Sequence, residues 1–186
     1  MTTKCLLNGN GRIGRLVLRY AWEDPTLDIV QINDVCAVES AAYLIKYDSV
    51  HGTWKNHDVS VDTNGQDIVI DGKRIKFTQY KSPQEIDLSE IELVMECTGK
   101  FLNVATLQPY LDRGVQQVVV SAPVKEDGAL NVVLGCNHQK FLAEHDKYRI
   151  ITNASCTTNC LAPVVKVIQE KFGIVHGCIS TIHVST

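Results

Sequence analysis

The sequence lacks both a long apolar run and a strong excess of charge of one sign. Its 186 residues carry 18 Lys and Arg against 21 Asp and Glu, which gives a formal net charge of −3 at pH 7. That balance offers no electrostatic reason to expect nucleic acid or an acidic membrane as the main partner. No stretch has the length of a membrane span, and no apolar signal core stands at the N-terminus. A globular protein located in the cytoplasm is therefore expected.

The cysteines lack the spacing of a metal site or of a disulfide framework. There are seven of them, an odd number, and they are scattered along the chain. Cys156 and Cys160 share one face of a predicted helix, but no second pair of ligands accompanies them, so no metal is predicted. Without an export signal, reduced thiols are expected.

A glycine-rich turn follows the first predicted strand, residues 4–8. Gly9, Gly11 and Gly14 form the pattern G-x-G-x-x-G, and apolar residues at helical spacing come directly after it. Between a strand and a helix, these glycines provide a tight turn, close approach of a pyrophosphate and close helix–strand packing. The N-terminus of the helix supplies N–H groups for the phosphates.

Asp34 follows the second predicted strand, residues 27–33, and lies twenty residues after Gly14. A carboxylate at this position can accept hydrogen bonds from the ribose hydroxyls of a bound dinucleotide. Because its charge repels a 2′-phosphate, NAD is predicted rather than NADP. The alternative is a glycine turn with an unrelated surface aspartate.

The remaining chain alternates strands and helices, apart from one antiparallel insertion. Three runs of period two are separated by Asn64-Gly65 and Asp71-Gly72, dipeptides that favour hairpins. Strands are predicted at 59–61, 67–70, 74–77, 93–97, 115–121 and 132–134, helices at 38–47, 104–113 and 137–144, and a loop at 48–54. The fold class is therefore α/β, a doubly wound, mostly parallel Rossmann-type sheet with an antiparallel hairpin insertion.

Residues 153–160 join a short predicted strand to a predicted helix. Ser155 suits the N-cap, so Cys156 falls at the first helical position, where unpaired N–H groups and the helix dipole favour an anion. A thiolate is the nucleophilic form of cysteine, which makes Cys156 a candidate nucleophile. His183, in a strand-like run over 178–184, is the candidate base. The alternative is that Cys156 is a buried structural cysteine.

These motifs together resemble the N-terminal part of the phosphorylating glyceraldehyde-3-phosphate dehydrogenase family. The matching residues are, in chain order, 8–15, 33–34, 46–52, 96–99, 121–123 and 153–163. The stretch 154–160, Ala-Ser-Cys-Thr-Thr-Asn-Cys, is highly specific to this family and its sugar-phosphate relatives. The resemblance covers the whole sequence but only slightly more than half of a usual family member.

The resemblance implies NAD-dependent oxidation of glyceraldehyde 3-phosphate to an acyl phosphate through a thioester on Cys156, with His183 as the base and inorganic phosphate as the acceptor. The residues implied to hold substrate or phosphate are Ser155, Thr157 and Thr186. The residues implied to bind the cofactor are Gly9, Gly11, Arg12, Ile13, Gly14, Asp34, Lys81, Thr98 and Ser121. Two departures stand out: Asn10 replaces a usual phenylalanine, and Lys81 stands in a segment that usually carries an adenine-side arginine.

The resemblance also implies a division of the chain into residues 1–154, the NAD-binding Rossmann domain, and residues 155–186, the start of a truncated α+β catalytic domain. A homotetramer is implied for the full-length family. For the 186 residues alone, weak NAD binding and little turnover are expected, because a strand at 179–184 would lack a sheet partner. Three alternatives stay open: arsenate as the acceptor, erythrose 4-phosphate as the substrate, and a non-catalytic NAD-binding module.

Overall fold

The computed structural model describes residues 2–183. The helices are α1 Arg12–Trp22, α2 Val38–Lys46, α3 Val104–Asp112, α4 His138–Ala143 and α5 Cys156–Phe172, with a short 3-10 helix at Pro83–Glu85. The strands are β1 Thr3–Asn8, β2 Leu27–Asn33, β3 Tyr47–Asp48, β4 Gly52–Thr53, β5 Val59–Val61, β6 Ile68–Ile70, β7 Lys73–Thr78, β8 Leu93–Glu96, β9 Gln117–Val120, β10 Ala129–Asn131 and β11 Ile150–Thr152.

A nine-stranded sheet organises the molecule, in the order β10-β11-β9-β8-β1-β2-β7-β6-β5. Every neighbouring pair from β10 to β7 is parallel. Only β6 and β5, at one edge, are antiparallel to their neighbours. The predicted fold class, a mostly parallel Rossmann-type sheet with an antiparallel insertion, is confirmed.

Helices cover both faces of this sheet. Cys5 and Leu7 of β1 belong to a core that includes Leu18 of α1, whereas Leu6 belongs to a second core that includes Leu107 of α3, and all five side chains are fully buried. This alternation follows from the period of two along a strand. Truncating any of the buried leucines to alanine costs about 2–5 kcal/mol of stability.

The antiparallel insertion is smaller than the sequence predicts. Asp71 and Gly72 both have positive φ, 51° and 81°, as a two-residue turn between β6 and β7 requires. However, β7 pairs in parallel with β2 and is a full member of the main sheet. Only β5 and β6 form the insertion, and they extend the sheet instead of folding away from it.

Three local predictions are wrong. The strand predicted at 132–134 lies at Ala129–Asn131, because Val133 begins a turn in which its N–H donates to Asn137 Oδ1 at 2.7 Å. The segment predicted as loop at 48–54 contains part of the small antiparallel pair β3–β4. Residues 178–183 form no strand within the described chain, and no sheet neighbour for them exists there.

Across residues 2–183, no helix combines the length and the apolar character needed to cross a membrane.

Candidate functional site

The carboxyl ends of the central parallel strands meet at one edge of the sheet, and backbone hydrogen bonds join them. Gly9 N–H donates to Asn33 O at 2.8 Å, and Ser121 N–H donates to Glu96 O at 2.9 Å. Asn153 N–H, just after β11, donates to a carbonyl at the end of β9 at 3.0 Å. Ligands of open α/β sheets bind at this edge, so it is the place to look for a site.

The glycine turn between β1 and α1 has the geometry that the motif predicts. Gly9 has φ +97°, a conformation that L side chains rarely adopt. A Cβ at Gly14 would lie 1.8 Å from Gly9 O, so the start of α1 packs directly against the turn. A Cβ at Gly11 would meet nothing within 4 Å, which leaves open space beside the backbone at this position.

The Asp34 carboxylate is held beside the glycine turn. Its Oδ2 accepts a hydrogen bond from Asn10 N–H at 2.6 Å, and its Oδ1 accepts one from Cys36 N–H at 3.0 Å. Each carboxylate oxygen can accept a second bond. The group is half-buried at the carboxyl end of β2, where it can still accept bonds from a ribose.

A cleft of about 160 Å³ opens beside these groups. Of the predicted cofactor-binding residues, it is lined by Gly9, Gly11, Asp34, Lys81 and Thr98. The other four predicted residues, Arg12, Ile13, Gly14 and Ser121, do not line it. Arg12 and Ile13 are exposed on the first turn of α1, Gly14 is buried beneath the turn, and Ser121 directly follows β9.

The cleft also has walls that the sequence analysis did not single out. They are Asn8, Asn33, Val35, Tyr80, Ser82, Cys97, Lys100 and Phe101. Asn8 and Asn33 are buried at the last positions of β1 and β2. A polar side chain that ends an apolar strand is the signal that could have identified both.

The turn before α5 presents Cys156 to solvent. Ser155 is the N-cap, and its Oγ accepts from Thr158 N–H at 3.0 Å, so Cys156 is the first helical residue as predicted. Asn159 Nδ2 donates to Asn153 O at 2.6 Å and closes the turn. The Cys156 side chain is exposed in the described residues.

The residue before the N-cap is strained. Ala154 has φ +52° and is 5% exposed, and a non-glycine residue pays about 1–2 kcal/mol in the left-handed region. Such strain persists only where the surroundings impose it, and it is typical of functional turns. The turn therefore holds Ser155, Cys156 and Thr157 in one defined arrangement, with Ser155 Oγ and Thr157 Oγ1 3.0 Å apart.

The structure does not bring His183 to Cys156. Within residues 2–183, no hydrogen bond or ion pair joins the two, and His183 lies in an exposed segment without helix or strand. Thr186, the predicted ligand of the substrate phosphate, lies outside the described residues.

The other cysteines divide by burial. Burial raises the pKa of Cys5, Cys36 and Cys97 to about 11 in each case, so these thiols are protonated at neutral pH. Cys160, like Cys156, is exposed on α5. It therefore provides a matched control for experiments on Cys156.

No cluster of three His, Cys, Asp or Glu side chains suited to a metal ion occurs among residues 2–183.

The fold and the cleft define a Rossmann-type dinucleotide-binding domain. Residues 3–104 match the family model described as glyceraldehyde 3-phosphate dehydrogenase, NAD binding domain, and residues 155–186 match that of the C-terminal domain. The chain belongs to the glyceraldehyde-3-phosphate dehydrogenase family. The prediction of NAD as the cofactor is confirmed by the matched NAD-binding model.

Curated relatives agree with the family models. The chain is 49% identical to glyceraldehyde-3-phosphate dehydrogenase 3 of Nostoc sp. over 100% of its length, and 44% identical to the enzyme of the same family name from Zymomonas mobilis over 98%. It is 40% identical to that of Geobacillus stearothermophilus over 98%. The chain spans about half the length of these relatives, 54%, 54% and 53% respectively.

Proposed function

We propose that this chain provides the cofactor-binding part, and the start of the catalytic part, of an NAD-dependent phosphorylating glyceraldehyde-3-phosphate dehydrogenase. The observation that carries the proposal is the position of Cys156. Its thiol is exposed at the first residue of α5, and the strand before it ends at the sheet edge where the cleft opens. The names of the relatives support the same reaction.

The residues of the cleft fit NAD. The open space at Gly11 admits a pyrophosphate close to the backbone, and Asp34 keeps acceptor positions for the ribose. Arg12 and Ile13, on the exposed first turn of α1, would flank the phosphates. Lys81 and Thr98 line the cleft, and Ser121 directly follows strand β9. When bound, NAD accepts the hydride from the substrate carbon.

In the proposed reaction, the Cys156 thiolate adds to the aldehyde carbon, and the oxygen takes up a proton from solvent to give a hemithioacetal. His183 takes the hydroxyl proton as that carbon is oxidised to a thioester. An oxygen of inorganic phosphate, which Ser155 and Thr157 would hold, then attacks the thioester carbon, while Thr186 would hold the phosphate group of the substrate. The carbon–sulfur bond breaks, the thiolate is restored and the acyl phosphate leaves. Removing a general base such as His183 costs about 10²–10⁴-fold in rate.

We place the domain boundary between residues 154 and 155. Ala154 is buried with the sheet, whereas no side chain of α5 is buried. The match to the C-terminal family model also begins at residue 155. The proposal includes a homotetramer for the whole protein and a cytoplasmic location, and the free state of all seven cysteines supports the latter.

The test compares Cys156→Ser with Cys160→Ser in this chain. Because little turnover is expected from 186 residues, the measurements are NAD affinity by calorimetry and the rate of iodoacetamide alkylation at each thiol by mass spectrometry. We expect Cys156 to react faster than Cys160 at neutral pH, and Cys156→Ser to retain NAD binding. Equal alkylation rates with intact NAD binding would identify a non-catalytic binding module instead.

The acceptor and the aldehyde are tested in the whole protein. Arsenate and phosphate share shape and charge, so the binding residues do not discriminate between them. The rate of the thioester step, measured with each anion, identifies the acceptor. A comparison of glyceraldehyde 3-phosphate with erythrose 4-phosphate as substrate identifies the aldehyde.

A further inference from the structure

Polar side chains, most of them buried, form a continuous hydrogen-bonded series at the base of the cleft, which two of them, Asn8 and Asn33, also line. It crosses four adjacent strands at their carboxyl ends and includes one helical side chain. Asn8 and Glu96 are 1% exposed, Asn33 is 3% exposed and Tyr110 is fully buried. The members are Thr78, Asn33, Asn8, Glu96 and Tyr110.

The hydrogen bonds from one side chain to the next run toward Glu96. At one end, Tyr80 N–H and Thr78 O–H donate to Asn33 Oδ1, each at 2.9 Å. Asn33 Nδ2 donates to Asn8 Oδ1 at 2.8 Å, and Asn8 Nδ2 donates to Glu96 Oε2 at 2.7 Å. Each amide therefore donates one N–H to the next side chain on the way to Glu96, and Glu96 accepts at the end of the series.

The backbone of Tyr80 fixes the amide orientation at the other end. Asn33 receives the Tyr80 N–H and donates to Tyr80 O at 3.0 Å. A rotated Asn33 amide would place donor against donor and acceptor against acceptor. Since Asn8 must match Asn33, the whole series has a single direction.

The two carboxylate oxygens of Glu96 each accept two hydrogen bonds. Its Oε2 accepts from Asn8 Nδ2 and from Tyr110 O–H at 2.9 Å, and its Oε1 accepts from Thr98 N–H at 2.9 Å and from the Thr98 hydroxyl. Burial raises the pKa of Glu96, and these donors oppose the rise. Four bonds occupy the acceptor positions of a carboxylate, so the geometry is that of the acceptor-only form.

Glu96 is therefore connected to both sides of the cleft, directly to one and through two amides to the other. On one side it orients Thr98, whose hydroxyl also accepts from Lys100 N–H at 3.1 Å. On the other side, through Asn8 and Asn33, it sets the hydrogen bonds of Tyr80, which lines the cleft beside Lys81.

We propose that Glu96 is a positioning residue, whose acceptor-only carboxylate fixes the Thr98 turn and, through the Asn8–Asn33 amide pair, the Tyr80 wall at the opposite side of the cleft. The inference rests on the proposed use of this cleft for the dinucleotide. It predicts that a substitution of Glu96 changes the structure and the ligand affinity of the adenosine side, which Glu96 does not contact directly.

The test compares Glu96→Gln with Tyr110→Phe. Glutamine offers one acceptor and one donor, so it can serve Thr98 or Asn8 but not both without reversing an amide. Tyr110→Phe removes the hydrogen bond that the hydroxyl donates to Glu96 and the one that it accepts from Asn8, but it leaves the orientation of both asparagine amides intact. Both variants lower the melting temperature, so stability does not decide between them.

Two measurements distinguish the variants, the affinity for AMP and the chemical shift of the Tyr80 backbone amide. We expect Glu96→Gln to weaken binding of AMP, a probe of the adenosine side, about tenfold, as for a lost bond to a charged group, whereas Tyr110→Phe stays close to the unsubstituted chain. In the nucleotide-free protein, the chemical shift of the Tyr80 backbone amide should change in Glu96→Gln and stay unchanged in Tyr110→Phe. An unmoved Tyr80 resonance in Glu96→Gln overturns the inference.

The two proposals fail separately. If the unsubstituted chain binds neither AMP nor NAD, the proposed function fails, while the Tyr80 resonance still decides the role of Glu96. If Glu96→Gln does not fold, Asn8→Ala takes its place in the test. This substitution interrupts the series of hydrogen bonds between Glu96 and Asn33. Asn8→Ala should then move the Tyr80 resonance and leave that of Thr98 in place, and the inference is wrong if Tyr80 does not respond.

Discussion

The glycine turn offers a paired test of packing against ligand approach. In Gly14→Ala, the new Cβ would lie 1.8 Å from Gly9 O and 3.3 Å from Cys97 Cβ. Since real Cβ contacts essentially never fall under 3.0 Å, the turn and α1 must separate by about 1.2 Å. The neighbour is backbone and cannot rotate away. We therefore expect a cost at the upper end of the usual range for overpacking, about 3 kcal/mol or more.

Gly11→Ala is the matched control on the same loop. Its Cβ meets nothing within 4 Å, and its φ of −69° suits alanine. We expect its stability to change by no more than about 1 kcal/mol, with a gain possible because alanine has less freedom when unfolded. Its methyl group instead fills the space that we propose for the pyrophosphate, so NAD affinity should fall about tenfold or more, as for a lost hydrogen bond to a charged group.

Thermal unfolding by circular dichroism and NAD titration by calorimetry separate the two effects. For a chain of this size, 3 kcal/mol corresponds to a fall in melting temperature of about 6–12 °C. A Gly14→Ala variant that melts with the unsubstituted chain would refute the close approach of α1 to the turn. A Gly11→Ala variant with unchanged NAD affinity would refute the cofactor assignment of the turn.

Three further predictions concern single side chains. Asn103→Ala removes the N-cap of α3, whose side chain accepts from Thr106 N–H at 2.9 Å, and should cost about 1 kcal/mol in a urea titration. Asn10 is buried and its Oδ1 has no hydrogen-bond partner, so Asn10→Leu should raise the melting temperature; a fall would show that the amide carries more than its bond to helix α2. The pKa of Asp48 is held low by hydrogen bonds from His51 N–H, from Arg15 and from a second backbone N–H. Its stabilisation is therefore present above the unfolded value of about 3.9 and is lost as pH falls below it, so unfolding free energies of Asp48→Asn should depend less steeply on pH in that window.

The sequence predicted the parallel sheet and the glycine turn because their signals are local. The turn needs glycines at fixed offsets, and Ser155 caps α5 by the ordinary preference for serine at that position. The displaced strand near Val133 was missed because Asn137, four residues later, closes a turn by a side-chain bond that no periodicity displays. The side chains at the base of the cleft were missed for a different reason. Glu96 acquires its partners only when β1, β8 and α3 come together, and that pairing joins residues far apart in sequence.

Helix α5 has a practical consequence for every measurement on this chain. None of its side chains is buried, and Val164, Val167 and Phe172 are 55%, 57% and 85% exposed. An exposed apolar surface of this kind promotes self-association, which increases with protein concentration. The chain should therefore be studied at low protein concentration. Light scattering before each titration should test for aggregation, which would otherwise be mistaken for weak NAD affinity.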